Sequence, residues 1–91
     1  MAQIDIQRDH ALGLTQARAE VDRLAERLRS KLDVQTHWEG DVLHFSRRGV
    51  DGHISVGDRS IRVQARLGLM MAALKPMLEA EIHRRLDDQL G

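Results

Sequence analysis

Turn signals between alternating segments constrain the fold of this chain more tightly than any other feature. Gly40-Asp41, Arg48-Gly49 and Gly57–Ser60 separate the segments 34–39, 42–47, 50–56 and 61–67. Apolar and polar residues alternate within these segments, as expected for strands with one buried face. Two-residue hairpin loops favour glycine because a central residue must adopt a positive φ. We therefore predict an antiparallel meander over residues 34–67.

The turns also predict the register of this meander. Two-residue loops at Gly40-Asp41 and Arg48-Gly49 place Phe45 opposite Gly52, and a turn centred on Asp58-Arg59 continues the pairing. A slip of one residue would expose the whole apolar face, so the agreement of the turns supports the register. The predicted buried face of the meander comprises Trp38, Leu43, Phe45, Ile54, Val56, Ile61, Val63 and Leu67.

Helical periodicity flanks the meander on both sides. Apolar residues at steps of three and four predict an amphipathic helix that begins between His10 and Thr15. A second stripe follows residue 68, where Pro76 predicts a kink, or a short helix up to Lys75 followed by a main helix from Pro76 to about Gln89. The two stripes are Leu14, Ala17, Val21, Leu24, Leu28 and Leu32, and then Leu69, Met70, Leu74, Leu78, Ile82 and Leu86.

Ile4 and Ile6 alternate with polar residues and predict one further strand, at an edge or as a cover. The predicted order is βαββββα. This order indicates an α+β two-layer sandwich whose antiparallel sheet carries both helices on one face. At 91 residues the chain is expected to be a single domain, residues 1–91.

Composition excludes several classes of function. The chain has no cysteine, which excludes disulfides, zinc-thiolate sites and cysteine nucleophiles. The longest apolar run, Leu69–Leu74, is too short to cross a bilayer, and the N-terminus lacks a signal-peptide pattern. We therefore expect a cytoplasmic protein with no membrane span. Because 14 basic residues balance 14 acidic ones without a basic stripe, we expect no nucleic-acid partner.

No motif for a nucleophile or a phosphate-binding loop occurs in the chain, so we predict no enzymatic activity and no cofactor. The charged residues of the helices are expected to face solvent. Glu20 and Glu81 belong to this group, and His10 and His83 are expected to be surface residues.

The register brings three histidines into one row on the polar face of the sheet. His37 lies opposite His44, which lies opposite His53. Directly opposed Cβ atoms are about 4.5–5.5 Å apart, so three imidazoles could converge on a divalent metal ion. The alternative is that all three are ordinary polar residues on a solvated face.

A nearly continuous apolar block occupies residues 67–78. Leu69–Ala72 are consecutive, so a helix cannot bury all of them against one sheet. Such a block can fill the core, form a homodimer interface, or contact a lipid-like or polymer surface, with Trp38 as a further contact. The candidate contact residues are Leu69, Met70, Met71, Leu74 and Met77.

Several segments together resemble the small polyhydroxyalkanoic acid system proteins of bacteria. The resemblance spans almost the whole chain, and its segments are Ile4–Ile6, His10–Gly13, Trp38–Phe45, Gly49–Gly52, Ile54–Val56 and Ile61–Gly68. It implies an intracellular, non-enzymatic protein associated with polyester storage granules. The expected partners are the granule surface, granule proteins or a second copy of the chain, and the resemblance implies no catalytic or binding residues.

Overall fold

Five antiparallel strands form one sheet in the computed structural model, which describes residues 2–90, with side chains up to residue 88. The elements are β1 Ala2–Asp9, α1 Leu14–Leu32, β2 Gln35–Glu39, β3 Val42–Arg47, β4 Val50–Val56, β5 Ser60–Leu67, the 3₁₀ helix Leu69–Leu74 and α2 Lys75–Leu90. The strand order in the sheet is β1-β5-β4-β3-β2. Helix α1 follows the first strand, and the 3₁₀ helix leads directly into α2.

The predicted register of the meander is confirmed. Phe45 pairs with Gly52, and Val56 pairs with Ile61 across the last turn. Gly40 and Gly49 have φ values of 60° and 85°, which supply the positive φ that the first two hairpin loops require. The α+β sandwich with an antiparallel sheet is confirmed as well.

The first strand pairs with the last strand of the meander. β1 runs antiparallel to β5 along its whole length, from Ala2 opposite Leu67 to Asp9 opposite Ser60. This pairing makes β1 an edge strand, one of the two positions predicted for it. β2 forms the other edge of the sheet.

The core lies between one face of the sheet and the two helices. α1 packs on β2 and β4, while α2 packs on β1. Pro76 lies in the first turn of α2, where a backbone N–H would have no partner within the helix, so proline is tolerated there. The prediction of a short helix followed by a main helix from Pro76 is therefore correct, and the alternative of a kinked helix is not. The largest fully buried side chains are Phe45, Ile4, Leu24, Leu28, Leu43, Ile54, Ile61, Leu67, Leu78, Ile82, Val21 and Val63.

Two acidic side chains that were expected in solvent are buried where the helices meet. Glu20 of α1 is 5% exposed and lies 2.7 Å from Arg23 and 4.0 Å from Arg85 of α2. Glu81 of α2 is 8% exposed and faces cations of α1, Arg27 and Lys31. The prediction that Glu20 and Glu81 are solvated is therefore wrong. Glu20 pairs with Arg23 of its own helix beside Arg85 of α2, and Glu81 is buried against cations of the other helix.

His10 is also buried, contrary to the prediction of a surface residue. The backbone N–H of Leu12 donates to its Nδ1 at 3.1 Å, so Nε2 carries the proton and donates to the Gly57 carbonyl at 2.9 Å. His10 thus ties the end of β1 to the turn between β4 and β5. His83 is half-buried beside Arg8 of β1, whose guanidinium donates to its Nδ1 at 2.8 Å.

Candidate functional site

An apolar groove lies beside the turn that joins β3 and β4. Its volume is about 450 Å³, and most of its lining is apolar. Leu69 and Met70 are 83% and 93% exposed, which is unusual for large apolar side chains. We call it the Met70 groove; its lining is Arg47, Arg48, Gly49, Gly68, Leu69, Met70 and Met71.

The geometry of the 3₁₀ helix explains why Leu69 and Met70 are exposed. A 3₁₀ helix has three residues per turn, so positions three apart share one face. Met71 and Leu74 are such a pair, and both pack against the core. The neighbouring apolar residues must then point elsewhere, which confirms that this block cannot be buried as a whole.

The exposed residues sit on a backbone that is anchored at its start. The N–H of Gly68 donates to the carbonyl of Gly49 at 2.9 Å. The Met71 side chain covers Gly49 so closely that a Cβ there would lie 2.7 Å from Met71 Cγ. The β3–β4 turn and the 3₁₀ helix therefore form one surface.

Two arginines border the Met70 groove. Arg47 and Arg48 are both exposed, and the Arg47 guanidinium donates to the Leu32 carbonyl at 2.6 Å. Guanidinium groups carry N–H donors and no acceptor. The groove thus combines apolar walls with a rim of hydrogen-bond donors.

The other predicted apolar contacts lie outside the lining of the groove. Leu74 is partly buried against the core, and Met77 is 40% exposed on α2. Trp38 lies on the helix side of β2, with the Arg18 guanidinium 4.3 Å from its ring centroid. Its indole N–H donates to Asp22 at 2.7 Å. Trp38 is therefore already covered by α1 and does not join the groove.

The histidine row forms on the open face of the sheet as predicted. His37 pairs with His44, and His44 pairs with His53. The rings of His37 and His44 are stacked with centroids 5.0 Å apart, whereas those of His44 and His53 are tilted at 6.1 Å. The His53 Nε2 lies 3.0 Å from Gln64 Oε1, so this ring forms a hydrogen bond on the side that faces away from His44.

The residue closest to completing a ligand set with His37 and His44 is Glu39. Ligand atoms of His37, Glu39 and His44 all lie within 4.8 Å of one another. Sequence reasoning missed Glu39, although its position two residues after His37 places both side chains on the same face of β2. The structure thus brings two of the three predicted histidines together with a carboxylate.

Asp5 and Arg62 form an ion pair on the same face of the sheet, and the pKa values of both groups are shifted. The Arg62 guanidinium holds the Asp5 carboxylate through two hydrogen bonds, at 3.0 and 2.8 Å. These hydrogen bonds lower the pKa of Asp5 below its ordinary value and raise that of Arg62. The pair connects the edge strand β1 to β5.

This ion pair predicts a weak dependence of stability on pH. Because the pKa of Asp5 is lowered on folding, its contribution is present above the ordinary aspartate pKa and is lost as pH falls through the lowered value. An NMR titration of the Asp5 carboxyl should show a higher midpoint in Arg62→Gln than in the wild type. The matched variant Arg66→Gln should leave the midpoint unchanged, and equal midpoints in Arg62→Gln and the wild type would contradict the assignment.

No helix within residues 2–90 is both long enough and apolar enough to cross a membrane.

The chain matches a known protein family over nearly its whole length. A family model described as "Putative polyhydroxyalkanoic acid system protein" matches residues 4–90. Neither the curated proteins nor the solved structures contain a match to the chain. Since the matched segment covers nearly every residue, including both the Met70 groove and the histidine row, the chain belongs to the polyhydroxyalkanoic acid system protein family.

Proposed function

We propose that this protein is a non-enzymatic accessory protein that docks on the surface of polyhydroxyalkanoate storage granules through the Met70 groove. The observation that carries the proposal is the exposure of Leu69 and Met70, 83% and 93%, at a site rimmed by arginines. Membership of the polyhydroxyalkanoic acid system family supports the choice of partner. The protein would act in the cytoplasm, where the granules form.

The chemistry of the groove suits a polyester. Such a polymer alternates apolar alkyl segments with ester carbonyls, which accept hydrogen bonds and donate none. Leu69 and Met70 offer apolar contact, and methionine adapts to irregular surfaces. Arg47 and Arg48 lie at the rim as donors to the carbonyls.

The docking proposal is tested with purified protein and polyhydroxybutyrate particles in a sedimentation assay. We expect the wild type to sediment with the particles and the double variant Leu69→Glu/Met70→Glu to bind at least tenfold more weakly. Burying one such side chain contributes about 1.5–3 kcal/mol, and about 1.4 kcal/mol corresponds to a tenfold change.

The matched control is Gln7→Glu/Ala19→Glu, which adds the same charge at exposed positions on the open sheet face and on α1. This control should bind as the wild type does. Equal binding by the Leu69→Glu/Met70→Glu variant would overturn the proposal. It would also be overturned if the wild type stayed in the supernatant and light scattering showed a dimer that the double variant dissociates, since the groove would then be a homodimer interface.

A further inference from the structure

We propose that His37, Glu39 and His44 form a binding site for a divalent transition-metal ion of the zinc class. His37 and Glu39 project from one face of the edge strand β2, and His44 is directly opposite His37 on β3. This inference is independent of the Met70 groove, which lies at the β3–β4 turn and the 3₁₀ helix and shares no residue with the proposed metal site.

The spacing of the ligand atoms supports the site. One ligand atom from each of the three side chains lies within 4.8 Å of the other two. Zinc binds imidazole nitrogen and carboxylate oxygen at about 2.0–2.2 Å, so ligands around a tetrahedral ion are separated by about 3.4 Å. The ligand atoms therefore need to approach one another by at most about 1.4 Å, which side-chain rotations can supply. His37 and Glu39 are exposed and His44 is half-buried, so these rotations are not blocked by core packing.

The donor set selects the class of metal. Two imidazoles favour zinc, copper or nickel over magnesium and calcium, which prefer oxygen ligands. Two histidines and one glutamate also leave a coordination position for water. Because both helices pack on the opposite face of the sheet, the ion can approach the site directly from solvent.

The structure also explains why Glu39, rather than His53, is assigned as the third ligand. The His53 ring centroid is 6.1 Å from that of His44, and its Nε2 is hydrogen-bonded to Gln64. While this hydrogen bond is kept, only Nδ1 of His53 is available to an ion, and the His53 ring lies farther from His44 than the His37 ring does. Glu39 already has its carboxylate beside the two stacked imidazoles.

The test is a calorimetric titration of ZnSO₄ into the full chain without a histidine tag. We expect one equivalent of zinc to bind to the wild type, and the variants His44→Ala and Glu39→Gln to bind at least tenfold more weakly. His53→Ala is the matched control, because it removes an imidazole from the same row, and it should bind as the wild type does. Circular dichroism without metal should show the same fold for all variants, since the altered side chains lie outside the core.

Thermal unfolding gives a second readout. Zinc should raise the Tm of the wild type and of His53→Ala, but not that of His44→Ala, because an ion that binds only the folded state stabilises it. The proposal is overturned if the wild type binds no stoichiometric zinc or if His44→Ala binds it equally well. If His53→Ala loses binding while Glu39→Gln retains it, the proposed ligand set is wrong and the three-histidine row holds the ion.

Discussion

Replacing Gly52 with alanine is expected to lower the free energy of unfolding by about 2–3 kcal/mol. A Cβ at this position would lie 2.5 Å from Phe45 Cζ and 2.8 Å from the Gln64 carbonyl oxygen. Phe45 is fully buried and the carbonyl belongs to the backbone of β5, so neither can move away without disturbing the sheet. Urea denaturation measures the loss as a lower midpoint at an unchanged slope.

Gly68→Ala is the matched control for this substitution. A Cβ at Gly68 would have its nearest contacts at 3.7 Å, an ordinary van der Waals distance, and φ there is −67°. Its unfolding free energy should stay within about 0.5 kcal/mol of the wild type. An equally small effect of Gly52→Ala would show that Phe45 does not press against β4 as the structure describes.

The substitution Leu24→Ala is expected to cost about 3 kcal/mol of stability. Leu24 lies on the buried face of α1 and is 0% exposed. A chain of this size buries only about 60–65% of its unfolded surface, so little other packing compensates for the cavity. Denaturation in urea again provides the measurement.

Leu69→Ala removes the same atoms from a leucine that is 83% exposed. Its free energy of unfolding should change by less than about 0.5 kcal/mol, because almost no buried contact is lost. A large loss of stability in this variant would indicate that Leu69 is covered in solution. Comparing the two leucines therefore tests both the core and the exposure of the Met70 groove.

The meander was predictable because its information is local. Each hairpin loop is specified by one or two residues, such as Gly40 and Gly49 with positive φ, and each loop sets the register of the two strands beside it. The packing of Phe45 over Gly52 followed from this register. The partner of β1 could not be obtained in this way, since Ala2 pairs with Leu67 across nearly the whole chain and no turn connects them.

Burial of charge depends on how the helices meet, and periodicity within one helix does not reveal it. Glu20 belongs to a charged stretch of α1 and is nevertheless buried where α2 packs against α1, with Arg23 of its own helix at 2.7 Å and Arg85 of α2 at 4.0 Å. Glu81 of α2 is buried at the same contact and faces Arg27 and Lys31 of α1. Only the three-dimensional arrangement of the two helices distinguishes these acids from solvated ones.

In the candidate sites, too, some features follow from local sequence and others depend on the three-dimensional structure. Consecutive apolar residues from Leu69 predicted that a helix cannot bury all of them, but the period of three that selects Met71 for the core depends on the 3₁₀ geometry. The histidine row was predictable from the register. Side-chain rotamers then determine that His53 turns to Gln64, and they place Glu39 beside His37.

The anchoring of the 3₁₀ helix has a consequence for the entropy of association. The segment is held at one end by the hydrogen bond from Gly68 to Gly49 and continues at the other directly into α2. A partner that covers Leu69 and Met70 therefore orders two side chains on a backbone that is already folded. Ordering one such side chain costs about 0.5–1.5 kcal/mol, whereas a disordered segment must also order its backbone, so this small surface retains more of its contact energy as affinity.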